Sequence, residues 1–158
     1  MFRTAFLAAS AAALCFAQSA HAQTTAEVDK PAYDAELARS VGANENGMRS
    51  YVLVVLKTGP NKVPAGAERD EMFKGHFANM SRLGNEGKLA LAGPFDGVDG
   101  WRGLFVFAVP DIEEAKKLVA TDPVIIKGEM VAEYHKYFGS AALMLVNGAH
   151  AKIAKQRF

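Results

Sequence analysis

Apolar positions along this chain change period several times, and each change marks an element. Tyr51 to Leu56 is an unbroken apolar, β-branched run closed by Gly59-Pro60, which predicts a buried central strand. From about Ala67 to Asn85 the period lengthens to that of a helix. Met72, Phe73, His76, Phe77, Met80 and Leu83 share one face, while Lys74, Asn79, Arg82 and Asn85 lie elsewhere on the wheel. "KLALAGPF" predicts a short second strand stopped at Gly93-Pro94, "DGVDG" a turn, and "WRGLFVFAV" a third strand with Phe105 and Phe107 on one face. Pro110-Asp111 ends that strand and starts a helix over "DIEEAKKLVA", with Ile112, Ala115, Leu118 and Val119 inward. "TDPVIIKGEM" reads as a turn holding one helical turn, and "VAEYHKYF" as the fourth strand.

The order β-α-β-β-α-β predicts an α+β fold of split βαβ type, with two helices over one face of a four-stranded antiparallel sheet. The opposite face then needs cover, and a second subunit is the expected solution, because an apolar sheet face in water is an association site. Ahead of this body, Tyr33, Leu37 and Val41 fall at i, i+4 and i+8 in "PAYDAELARSVGANENGM", a short amphipathic helix ended by Gly42. Behind it, residues 139–158 extend beyond the core. There Ala141–Val146 is apolar enough to pack against a neighbour, and Lys152, Lys155 and Arg157 make a basic end. No internal repeat or low-complexity tract interrupts the pattern. The expected organisation is a signal peptide over 1–22, a leader with a short helix over 23–49, the domain over 50–138 and the extension over 139–158.

The first segment, "MFRTAFLAASAAALCFAQSAHA", has the three parts of a secretory signal: Arg3, an apolar run Ala5–Ala17, and the small-x-small site Ala20-His21-Ala22. The run is shorter than the about 20 apolar residues of a membrane span and ends in Gln and Ser, so cleavage after Ala22 is expected in preference to a retained anchor, with a mature chain beginning at Gln23 in the periplasm or outside the cell. Cys15 leaves with the signal, which excludes disulfide staples, thiol catalysis and cysteine-type zinc sites from the mature chain. Without Arg3, 17 basic residues balance 17 acidic ones, which gives no reason to expect nucleic acid or an anionic membrane as partner.

Candidate chemistry centres on "GHFANMSRL", where His76 sits near the middle of the apolar arc. Periodicity alone favours a buried neutral histidine with one satisfied hydrogen bond. A functional histidine needs a carboxylate to fix its tautomer and support its charged form, and Asp96, Asp99 and Asp122 lie in turns able to supply one. Asp122 has an ordinary role too, since Asp-Pro is a natural N-cap with proline at N1, and Asp96 and Asp99 suit turns. His76, His135 and His150 show no HxH or HExxH spacing, so nothing local suggests a metal. Glu133, His135 and Tyr137 share one face of the last strand, where they would either line a pocket or pack across strands. Trp101 either walls a pocket or begins its strand. The chain has no nucleophile elbow, no phosphate-cradling loop and no dinucleotide fingerprint.

Taken in order, "YVLVVLKTG", "GHFANMSRLGNEGKL", "LAGPF" with the acidic turn after it, and "EEAKKLVATDPVIIKGEM" resemble the YCII-related (YciI-like) domain family over about Tyr51 to Phe138. The leader and the tail "GSAALMLVN" resemble a secreted branch of it. The resemblance implies a ferredoxin-like domain that dimerises through its sheets as dimeric α/β barrels do. It also implies a catalytic pair, His76 matching the helix histidine and Asp122 the Asp-Pro aspartate. Some related proteins are lyase-like enzymes of small cyclic or aromatic compounds. The chain departs from the family in "EYHKYFG", which lacks a proline-aromatic ending. The resulting expectation is a cofactor-independent lyase or isomerase acting on a small organic molecule, with Asp96, Trp101 and His135 as substrate contacts. The alternative is a ligand-binding or structural dimer with a core histidine, and a metal site built on His76 and aspartates ranks third.

Overall fold

The computed structural model describes residues 31–155. The expected signal peptide and cleavage site, the polar leader Gln23–Asp29 and residues 156–158 lie outside the described residues. The elements belong to one unit beginning at Tyr33.

Helix α1 (Ala35–Ser40) starts at Asp34, whose side chain accepts the Leu37 N–H at 2.9 Å. Of its expected apolar stripe only Val41, the C-cap residue, is buried, while Leu37 and Tyr33, which lies ahead of the helix, stay exposed. Strand β1 (Met48–Thr58) leads through α2 (Ala67–Asn85) to β2 (Leu89–Pro94). A short 3₁₀ turn (Val98–Gly100) precedes β3 (Trp101–Phe107), and α3 (Ile112–Val119) with the single-turn α4 (Pro123–Ile126) leads to β4 (Met130–Ser140). All pairings are antiparallel and the sheet order is β2-β3-β1-β4. Thus β3 lies between the parallel strands β1 and β2, and β1 between β3 and β4. This is an α+β domain consistent with a ferredoxin-like fold.

The alternation of the strands decides what each face meets. Val52, Val54 and Leu56 of β1 join Phe105 and Phe107 of β3 on the helix side, where Met72 and Leu83 of α2, Ala115, Leu118 and Val119 of α3 and Val124 of α4 close one core. Each fully buried aliphatic or aromatic side chain there contributes about 1.5–3 kcal/mol. Phe77, placed by periodicity on the buried face, is 41% exposed; it lies at the rim, where the apolar arc is wider than the strip of sheet beneath it.

The other face is covered in part by the chain itself. Tyr51, Ala90 and Val106 form a second cluster, against which Leu143 and Met144 pack. These two belong to the 3₁₀ turn Ala141–Leu145 that follows β4. The Tyr51 hydroxyl donates to the Ser140 carbonyl at 2.9 Å, and Asn147 in helix α5 (Val146–Ile153) donates to the Leu89 carbonyl at 2.7 Å. The tail therefore lies over the β2–β3 half of this face. The β1–β4 half remains open, with Val131, Glu133, His135 and Tyr137 exposed along β4. Among the described residues no helix is long and apolar enough to cross a membrane.

Candidate functional site

Helices α2 and α4 approach one another through a glycine. A Cβ on Gly75 would stand 2.9 Å from Pro123 Cγ, so only glycine lets the two backbones close to this distance. Pro123 occupies N1 of α4, where its fixed φ suits a helix start. Asp122, the N-cap, accepts the Val124 N–H on Oδ1 at 3.1 Å. The same carboxylate faces α2, and His76 Nδ1 lies 2.9 Å from Oδ1 and 2.8 Å from Oδ2.

Asp122 is wholly buried and His76 is 7% exposed. An ionised carboxylate only accepts, so Nδ1 is the donor in this contact, and in the neutral imidazole the lone pair then falls on Nε2. Nε2 makes no hydrogen bond among the described residues. The fully enclosed side-chain polar atom lacking a partner there is Arg49 Nε, so His76 Nε2 keeps access to solvent. Around the ring stand Phe73, Phe77 and Phe105, with centroids 6.1, 5.4 and 6.0 Å away. A base with a free lone pair, its tautomer held by a buried carboxylate and its walls apolar, can take a proton at Nε2 and be stabilised as the imidazolium by Asp122. Polar contacts also tie α2 to the residue before Asp122. The Thr121 hydroxyl donates to the Leu118 carbonyl at 2.7 Å, and Arg82 donates to Asn79 Oδ1 at 2.7 Å and to Thr121 Oγ1 at 3.4 Å.

The other sequence candidates do not converge on this pair. Asp96 accepts the Val98 N–H at 3.1 Å and shapes the turn before β3, where Asp99 adopts φ 53°. Trp101, 43% exposed, stands beside Phe95 and 6.0 Å from Lys57 Nζ, in register with Lys57 on the face away from the helices. On that same face His135 donates to Glu133 at 2.8 Å. Hydrogen bonds from Lys57 and His135 hold the Glu133 carboxyl below its usual range. Trp101 and His135 are thus separated from His76 by the sheet. Among the described residues no cluster of three or more His, Cys, Asp or Glu side chains is placed to hold a metal ion.

One charged group escaped the sequence reading. Glu129, 3% exposed, accepts the Val63 N–H at 2.7 Å and pairs with Arg69 at 2.8 Å and Arg102 at 3.7 Å. Burial alone would raise its pKa, but the Val63 amide and the two guanidinium groups outweigh it and hold the carboxyl below the ordinary value. Beside it opens a pocket of about 310 Å³ lined by Thr58, Gly59, Lys62, Arg69, Arg102 and Glu129. A second pocket, about 300 Å³, lies against Tyr51, Asp111 and Lys136. Neither is lined by His76 or Asp122. No pattern in the sequence pointed to Glu129, because its partners come from α2, β3 and the loop after β1.

Fold and site together define a small α+β domain with a buried histidine–aspartate pair on the helix side of its sheet. The sequence pattern of the YCII-related domain matches residues 50–135, more than half of the chain, and the chain belongs to the YCII-related family. No curated protein matches it.

Proposed function

We propose that this protein is a cofactor-independent acid/base enzyme of the lyase or isomerase type, acting on a small organic molecule. His76 Nε2 takes and returns the proton, and Asp122 fixes the tautomer and balances the imidazolium charge. The observation that carries this reading is the divided imidazole. Nδ1 is held by both oxygens of a wholly buried carboxylate, while Nε2 has no hydrogen bond among the described residues.

The protein is further proposed to be exported, on its signal-like first 22 residues, and to dimerise through its sheet. Val131 and Tyr137 are each about two-fifths exposed on the open β1–β4 half of the sheet, which supports a second copy as its cover.

A second reading keeps its place because neither pocket near 300 Å³ reaches the pair. His76 and Asp122 would then be a structural clamp between α2 and α4 in a ligand-binding protein. Hydrogen–deuterium exchange at carbon separates the two. Small cyclic and aromatic carbon acids are incubated with the protein in D₂O and followed by proton NMR. The catalytic reading expects exchange with at least one compound, lost in His76→Asn while the fold persists. Exchange that survives His76→Asn, or none across the panel, supports the clamp.

A further inference from the structure

We propose that the Lys62–Arg69–Arg102 pocket is a binding site for an oxyanion, the carboxylate or phosphate group of a small molecule. The site stands independently of any role for His76.

The site holds a surplus of oriented donors. Three cations and one carboxylate line the pocket, and the carboxylate is already engaged by Val63, Arg69 and Arg102. Glu129 therefore works as an internal counter-ion that orients the guanidinium groups and leaves net positive charge facing the opening. Arg69 is fixed on three sides. Nη1 donates to the Val63 carbonyl at 2.8 Å, pairs with Glu129 at 2.8 Å, and the guanidinium carbon lies 4.9 Å above the Phe73 ring. Its ordering entropy is already spent before a ligand arrives. Arg102 is the contrasting case. Its side chain is only 27% exposed, yet its closest carboxylate oxygen is at 3.7 Å and it makes no hydrogen bond among the described residues. A guanidinium in this partly enclosed position has a planar fork of donors suited to two oxygens of one ligand group. Lys62 adds an exposed ammonium to the lining, with no ion pair among the described residues.

The pocket floor is also built in advance. Gly59 donates to the Glu129 carbonyl at 2.8 Å and Asn61 to the Gly128 carbonyl at 3.1 Å. A Cβ on Gly59 would come within 2.1 Å of the Gly128 oxygen, so this close pairing of the loop with the start of β4 requires glycine. Arg69 stands two helical turns, roughly 10 Å, from His76 along α2. An anionic group seated here would thus leave the remainder of a small molecule free to extend along the helix.

The test is titration of the isotope-labelled full chain with inorganic phosphate and, separately, acetate, at constant ionic strength maintained with sodium chloride. The Thr58 and Gly59 amides and the arginine Nε–H signals are followed by NMR. Saturable shifts are expected with at least one anion, and which one saturates tells phosphate from carboxylate. Arg102→Gln is expected to weaken binding at least tenfold and Lys62→Gln about threefold, whereas Lys74→Gln, on the exposed side of α2, leaves it unchanged. Arg102 and Lys62 are chosen because neither holds the loop through a hydrogen bond, and circular dichroism verifies that each variant folds. Shifts that merely follow total salt, or saturation unaltered in the Lys62→Gln/Arg102→Gln double variant, overturn the proposal.

Discussion

Gly75 and Pro123 meet so closely that a Cβ on the glycine would lie 2.9 Å from the proline ring. His76 follows the one and Asp122 precedes the other, so this contact sets the spacing of the histidine–aspartate pair. Gly75→Ala tests it. Alanine gains about 1 kcal/mol of helix propensity, but forcing a methyl group against a rigid ring costs about 1–3 kcal/mol. We expect a net loss of about 1 kcal/mol in urea unfolding and a His76 Nδ1 proton resonance shifted by the displaced carboxylate. A gain in stability with that resonance unmoved would contradict the close-approach account.

Asp122 performs two tasks that substitution can separate. Asparagine caps a helix about as well as aspartate, so Asp122→Asn retains the Val124 hydrogen bond and loses only the negative charge beside His76. A stability loss of about 1–2 kcal/mol is expected. Asp122→Ala removes the cap and leaves buried donors unpaired, for about 3–5 kcal/mol. His76→Ala is expected to cost about 1–3 kcal/mol, as for a broken buried hydrogen bond. Denaturant curves of the three variants give the order directly. Where carbon exchange is measured, Asp122→Asn is expected to lower it about 10²-fold. Equal losses in the Asn and Ala variants would mean that the cap contributes nothing.

The pattern of the chain carried the elements well, because strand and helix periods are local and Gly, Pro and Asp mark their ends. The His76 arc, the Asp111 cap and the Asp122-Pro123 start all stand where periodicity put them. What local pattern could not carry was partnership. Asp122 as a cap was legible, but its second contact with His76 rested on family resemblance, since it joins elements distant in sequence. Ala141–Val146 was legible as apolar, while its partner, the chain's own β2–β3 face, was not. Glu129 gave no signal at all. A lone acid ahead of a strand resembles a solvated turn residue until three separate elements enclose it.

Acid should find that enclosed carboxylate. The folded-state pKa of Glu129 is held below the ordinary 4.5, so in the window between the two values the unfolded chain binds more protons and stability rises with pH. Its contribution is complete above about pH 5 and is lost as pH falls through the folded-state value. Stability of the wild type and of Glu129→Gln, measured by urea unfolding at intervals from pH 6 to pH 3, should converge toward the acid end. A constant difference between the two curves would show that the charge of Glu129 is not what matters. Exposed Glu68, Glu86 and Glu133 are also lowered by their basic partners, but they are common to both proteins and cancel in the comparison.

The tail and the open half of the sheet make opposite predictions for association. Leu143 and Met144 shield Tyr51, Ala90 and Val106 within one chain, so Leu143→Asp should chiefly destabilise the fold, by about 1–3 kcal/mol for a partly buried leucine. Val131 lies on β4 with nearly half its surface in water, so Val131→Asp should leave the monomer fold intact. If a second copy covers the β1–β4 half, that variant places a charge in an apolar contact and shifts sedimentation equilibrium from dimer toward monomer at micromolar concentration. A wild-type chain that sediments as a monomer under the same conditions would defeat the sheet-to-sheet dimer outright. A dimer equally stable in Val131→Asp would place the interface elsewhere and leave Lys57, Glu133 and His135 as a solvated polar row.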